Sequence, residues 1–193
     1  MSSMRVCVIS ASLGAYDREW PWAEQIVSAN VEIEIHRLND SSFPLRSKAM
    51  TPALQCAIPK MLGWQLFPDC DVYFWLDASV ALTRGHEITL WLATLKDSEI
   101  LLFNHPERNS VREEYEFVKA KLESKNKYLT ERYQHEWLDE QFQYLVQNGS
   151  LWDTSLYAST AFIYRPTPNN KRAFSDWWWH KSRFLLHDQL ALP

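Results

Sequence analysis

The sequence predicts an α/β fold with a mostly parallel central sheet flanked by helices, and three observations carry that expectation. Apolar runs of strand length alternate with helical patterns along the whole chain. The run Val72–Leu76 is apolar or aromatic at every position, as in a strand buried on both faces of a parallel sheet. Polar clusters follow three of the strands, and the carboxyl ends of strands are where open α/β sheets place ligands. The 193 residues suit a single domain, 1–193, either whole or cut from a longer protein.

Met4–Ser10 reads as the first strand, opening into the small-residue loop Ser10-Ala11-Ser12-Leu13-Gly14-Ala15. Trp20–Ala29, with Pro21 near its first turn, reads as a short helix. Val31–His36 alternates apolar and polar residues like a half-buried strand. Arg46-Ser47-Lys48 lies on a loop ahead of a helix over Pro52–Leu66, in which Pro59 is a candidate kink. The central strand ends at Asp77, and Val80–Leu82 reads as a short continuation. His86–Leu95 is a helix by periodicity, Glu99–Phe103 a buried strand, and Asn104–Arg108 its polar exit. Ser110-Val111-Arg112-Glu113 is a capping-box pattern opening an amphipathic helix. A second helix runs from about Leu129 to Gln147. Tyr157–Arg165 is a strand and Asn169–Arg183 a tryptophan-rich helix; its three adjacent Trp cannot share one face. His187-Asp188-Gln189 then lies between apolar residues.

Composition excludes several functions. Hydrophobic residues make up 46% and charged residues 23%, a folded rather than disordered chain. A net charge of −4 without a basic block argues against a nucleic-acid partner. No stretch reaches the length of a membrane span, and no secretory signal is readable. Cys7, Cys56 and Cys70 have no paired spacing, so free thiols and a cytoplasmic location are expected. Ten Trp, eight Tyr and nine Phe exceed what the core needs, and aromatic rings also stack on sugars and bases.

The chemistry centres on Asp77-Ala78-Ser79. A divalent cation on a diphosphate needs one or two hard oxygen ligands from the protein. Asp77 and Ser79 can supply them, and a histidine can complete the set, with His187 and His105 as candidates. The alternative for Asp77 is a loop-capping aspartate, for Arg46 and Lys48 a solvated surface pair, and for Asp188 a helix cap. The glycine pattern of a phosphate-binding loop is absent, which disfavours a P-loop or nucleotidyltransferase reading.

Taken in order, the small-residue loop, Arg46-Ser47-Lys48, the apolar run into Asp77-Ala78-Ser79, His105-Pro106-Glu107-Arg108 and the late Asp188-Gln189 resemble the GT-A glycosyltransferases. More narrowly, they are similar to the small glycosyltransferase domain encoded by large algal viruses and to a related plant and bacterial glycosyltransferase-like family. The resemblance implies a nucleotide-sugar donor, most often uridine-based, manganese or magnesium (Mn2+ or Mg2+), and a glycan or glycoprotein acceptor. It implies nucleoside contacts from Ser10, Ala11, Ser12 and Gly14, and phosphate or donor contacts from Arg46, Lys48, Asp77, Ala78, His105 and Arg108. The implied metal ligands are Asp77, Ser79 and His187, and the implied catalytic residues Asp188 and Gln189. Ser79 stands where GT-A enzymes usually carry a second Asp, so Asp77 bears more of the metal role. The viral likeness implies retention of anomeric configuration and the host cytoplasm as location. A non-catalytic nucleotide-sugar or carbohydrate-binding module of the same fold is the alternative.

Overall fold

The structure, a computed structural model, describes residues 3–14, 18–46, 48–127, 130, 137–148, 154–184 and 188–192. It has the expected α/β class. Five strands form one sheet in the order β2-β1-β3-β5-β4: β1 Met4–Ser12, β2 Val31–Asn39, β3 Val72–Leu76, β4 Ile100–Asn104 and β5 Tyr157–Tyr164. β1 runs parallel to both β2 and β3, while β5 is antiparallel to β3. Beside β4, Arg165 N–H donates to Glu99 O and His105 N–H to Leu156 O. Those pairings run in opposite chain directions, so β5 is antiparallel to β4 as well.

By its internal contacts the chain divides into two compact units, Met1–Leu102 with Thr160–Ser175, and Phe103–Ser159 with Asp176–Pro193. In the first unit, helix α1 (Pro52–Leu66) and helix α2 (Glu87–Leu95) cover opposite faces of β3. The pleat explains the division. Side chains alternate along a strand, so Tyr73, Trp75 and Asp77 share one side and Phe74 and Leu76 the other. Lys60 of α1 reaches over the Trp75 ring, and Trp91 of α2 stacks on Phe74. Every residue of β3 is buried.

α1 begins where predicted, with Thr51 Oγ1 accepting from Leu54 N–H at 3.2 Å and Pro52 in the first turn. It is kinked at Leu62 (φ −117°), three residues beyond Pro59. It packs closely at Gly63, where a Cβ would stand 2.5 Å from Ile9 Cδ1 and that side chain would have to shift.

Several expectations need correction. Trp20–Ala29 is not a helix. Its amides bond instead to a distant segment: Trp20 N–H to Ala78 O, Ala23 N–H to Leu82 O and Ile26 N–H to Gly85 O. Trp22 Nε1 adds a bond to Val80 O at 2.8 Å. Donors spent across a gap cannot also close helical turns. For the same reason Val80–Leu82 is no continuation strand; only an isolated bridge pairs Leu82 with Trp22. β1 extends to Ser12, because Ser10, Ala11 and Ser12 pair with Arg37, Leu38 and Asn39 of a longer β2.

In the second unit, α3 (Val111–Glu123) starts at the predicted cap, with Ser110 Oγ accepting from Glu113 N–H. α4 spans Leu138–Asn148; most of the expected helical stretch ahead of it lies outside the described residues. α5 spans Pro168–Phe184, its residues up to Ser175 counted in the first unit and those from Asp176 in the second, and a 3-10 turn Asp188–Ala191 follows. Val111, Val118, Leu138, Leu145, Leu156, Phe184 and Leu190 form this unit's core. Trp177 is buried, Trp178 half-buried and Trp179 exposed, the spread that three consecutive helical positions require. No described helix is long and apolar enough to cross a membrane.

Candidate functional site

The register of β1 and β3 aligns Ile9 with Trp75, so the last residues of β1, Ser10–Ser12, run beside Asp77–Ser79 where β3 ends. The Asp77 backbone is pinned there, its N–H donating to Thr160 O at 2.8 Å and its carbonyl accepting from Val80 N–H at 2.8 Å. Its side chain is 28% exposed. Oδ1 accepts from the Trp75 indole Nε1 at 2.6 Å and from the Lys60 ammonium at 3.3 Å. Lys60 itself keeps only 6% of its side chain exposed and stands 5.7 Å from the centre of the Trp75 ring. A carboxylate at the carboxyl edge of a parallel sheet is therefore oriented by an indole and a buried cation. The pair also cancels its own net charge.

Lys60 and Trp75 were not among the expected site residues. A signal for Lys60 was present: it is the one charged residue in PALQCAIPKMLGWQL. A lone charge in an otherwise uncharged, largely buried helix needs a partner. Asp77, alone among the apolar and small residues of Val72–Leu82, is the matching charge.

The other expected contacts in this unit differ in setting. Ser10 and Ala11 are buried and Ser12 half-buried, all three within β1 rather than on a loop. Gly14 has φ +69° and donates its N–H to Asp40 Oδ1 at 2.9 Å. A Cβ on it would lie 2.8 Å from Pro52, so backbone conformation and space both require glycine. Ala78 is buried and Ser79 exposed. Arg46 and Lys48 have exposed side chains on the turn before α1. That turn is latched by buried Gln55, whose Oε1 accepts from Arg46 N–H at 2.6 Å and whose Nε2 donates to Phe43 O and Pro44 O.

His105, Arg108, Asp188 and Gln189 belong to the second unit. His105 Nδ1 accepts from the N–H groups of Glu107 and Arg108, at 3.2 and 3.1 Å, and Arg108 Nη2 stands 3.2 Å from its Nε2. Arg108 donates through Nε to the fully buried Glu114 carboxylate and through Nη1 to Glu107, and its guanidinium lies 4.0 Å from the centre of the Phe117 ring. Asp188 receives Lys181 Nζ at 3.0 Å, with 9% and 21% of the two side chains exposed. Its carbonyl accepts from Trp177 Nε1 at 2.9 Å, and Gln189 beside it is buried. His187 lies outside the described residues.

The three cysteines are free thiols. Burial pushes the Cys7 and Cys70 thiols up, so neither serves as a thiolate nucleophile. Among the described residues, no group of three or more His, Cys, Asp and Glu gathers as a metal cage. The donors at the sheet edge are one carboxylate and one hydroxyl, Asp77 and Ser79. Neutralised by Lys60, that set would leave most of a cation's coordination to oxygens from elsewhere.

No curated protein and no solved structure matches the chain. The family model described as TOD1/MUCI70, glycosyltransferase-like domain, matches residues 47–193. The match takes in α1 with Lys60, β3 with Asp77 and every element after them; β1, β2, Ser10–Gly14 and Arg46 precede it. The chain belongs to the TOD1/MUCI70 glycosyltransferase-like domain family.

Proposed function

We propose that this protein is a glycosyltransferase of GT-A type that takes a sugar from a nucleoside diphosphate sugar, uridine-based, and passes it to a glycan acceptor. The observation that carries the reading is the Asp77 carboxylate at the shared carboxyl edge of β1 and β3, aligned by Trp75 and Lys60. The carboxyl end of β1, Ser10–Ser12, lies beside it, and the half-buried Ser12 offers a contact to a nucleoside. Family membership supports the reaction class.

Loss of the diphosphate builds negative charge, and catalysis consists largely of stabilising it. Asp77 and Ser79 would hold a manganese or magnesium ion brought by the donor; such an ion supplies Lewis-acid stabilisation of the leaving diphosphate. Lys60 keeps the Asp77 carboxylate fixed, so the donor meets a preorganised oxygen. Arg46 and Lys48, exposed on a turn held rigid by Gln55, offer cationic contacts to phosphate. Asp188 is poorly suited to take a proton, because its carboxylate already pairs with the buried Lys181 ammonium. Orienting a sugar hydroxyl suits it better, and Gln189 beside it offers an amide for the same task. That assignment favours transfer with retention, which needs no base on the acceptor.

A second reading, a binding module without turnover, draws on the Lys60–Asp77 pair, whose mutual neutralisation lowers affinity for a free cation. Incubation with a panel of nucleotide sugars, with and without manganese, separates the two. Nucleotide release from one donor, dependent on added metal, supports the enzyme. Binding without release in the presence of varied acceptors supports the module, and absence of binding to every donor rejects both.

A further inference from the structure

The second unit carries a cavity of about 490 Å³ that none of the site residues above lines. Its walls include Lys119 and Glu123 of α3 and Trp137, Asp139 and Glu140 at the start of α4. The volume falls within the range of roughly 300–1,000 Å³ typical of small-molecule sites. It has room for a short oligosaccharide rather than a single ring.

Trp137 is the informative residue. It is 60% exposed, the second most exposed of the large hydrophobic side chains described. Its backbone is nonetheless fixed: the N–H donates to Phe184 O at 3.3 Å and the carbonyl accepts from Gln141 N–H at 2.9 Å. An indole held out on a fixed backbone costs exposed apolar area and offers a stacking face. The floor beside it is equally ordered. Asp139 Oδ1 accepts from Tyr115 Oη at 2.7 Å and Lys119 Nζ at 3.1 Å, and the Tyr115 ring stacks on Phe142 at 3.7 Å. These bonds hold the Asp139 carboxyl below its ordinary range. Acidic residues in the first turn of a helix are accounted for by the helix's own amides. That explanation covers Asp139 and Glu140, but neither Trp137 nor Glu123 on the other helix.

An aromatic face bordered by carboxylates matches a pyranose, which presents C–H groups on one side and hydroxyl donors round its rim. Charge narrows the choice. One lysine faces three carboxylates, and that lysine is already paired with Asp139, so a uronic-acid chain is repelled while neutral hydroxyls are accepted. We propose that the cavity beside Trp137 is a binding subsite for a neutral oligosaccharide. Its use as the acceptor subsite rests on the glycosyl-transfer reading, whereas the binding chemistry does not.

The test is calorimetric titration of the full chain, without nucleotide, with neutral hexasaccharides of glucose, xylose, mannose and galactose, and with a hexagalacturonide. The expected result is binding of at least one neutral chain in preference to the acidic one. Trp137→Ala should weaken it at least about tenfold, the loss of one stacking platform. Asp77→Asn should leave it unchanged. Failure of every neutral chain to bind, preference for the galacturonide, or equal binding by Trp137→Ala overturns the proposal. Nucleotide-sugar turnover without oligosaccharide binding sinks this inference alone; oligosaccharide binding without any nucleotide-sugar binding supports it and sinks the glycosyl-transfer reading alone. Glu140→Gln, which removes one wall charge, should narrow the discrimination against the galacturonide; unchanged discrimination counts against the charge argument.

Discussion

Removing one member of the Lys60–Asp77 pair should be far more costly at Asp77 than at Lys60. At 3.3 Å the gross attraction is about 5 kcal/mol for an effective dielectric of 20. Desolvation of Lys60, with 6% of its side chain exposed, takes back much of that. Asp77→Ala leaves the ammonium buried without its carboxylate and should cost about 3–5 kcal/mol. Lys60→Met retains the stem volume and leaves Asp77 with the Trp75 donor and access to water, so its cost should be about 1–2 kcal/mol. In the double variant Lys60→Met/Asp77→Ala the stranded charge is gone. Its cost should fall short of the sum of the singles by roughly 2 kcal/mol. Urea unfolding followed by far-ultraviolet circular dichroism measures all four proteins, with the denaturant slope as the check that one transition is being compared. The reasoning is refuted if Asp77→Ala costs less than about 1 kcal/mol and the two substitutions add.

Two further outcomes follow from the second unit. Arg108→Met removes the Nε donor from the fully buried Glu114 carboxylate and should destabilise by about 3–5 kcal/mol, read by the same unfolding measurement; a variant as stable as wild type would free Arg108 for a ligand-binding role. Burial holds the His180 imidazole below its ordinary range, with Asp176 raising it and Arg183 lowering it. A depressed folded value means that above pH 6.5 both states are neutral and stability is complete. As pH falls below that point the unfolded chain takes the proton first, and stability is lost down to the folded value. His180→Phe, which also removes a buried ring nitrogen lacking a hydrogen-bond partner among the described residues, should flatten that loss in melting scans between pH 7 and 5; an unchanged slope assigns the loss to other groups.

The elements that could be read from the chain alone are those whose determinants are local. α1 begins at a capping threonine and a proline, and β3 is an uninterrupted apolar run, so both lie where the sequence places them. Trp20–Ala29 was misread because its amides are satisfied by carbonyls some sixty residues away. No periodicity encodes that choice. The antiparallel direction of β5 was equally silent, since a strand buried on both faces shows the same run in either direction. At the candidate site, Asp77 was legible from its position after β3. Lys60 and Lys181 were not, because lysines are expected in solvent. Their neighbours in sequence, apolar at Lys60 and aromatic before Lys181, were the available signal. Arg108 reads as a phosphate contact in a segment of four residues, yet the Glu114 that engages it is buried one turn into the following helix.

Donor binding at Asp77 is the central claim. Asparagine at that position keeps an oxygen for Trp75 and Lys60 but loses the carboxylate charge. Calorimetric titration of the preferred nucleotide sugar, with manganese present, into wild type and Asp77→Asn gives the answer. The predicted result is measurable binding to wild type and an affinity at least about tenfold weaker in Asp77→Asn, with folding of the variant verified by circular dichroism. Equal affinity in the two proteins, or a wild type that binds no nucleotide sugar, would contradict it.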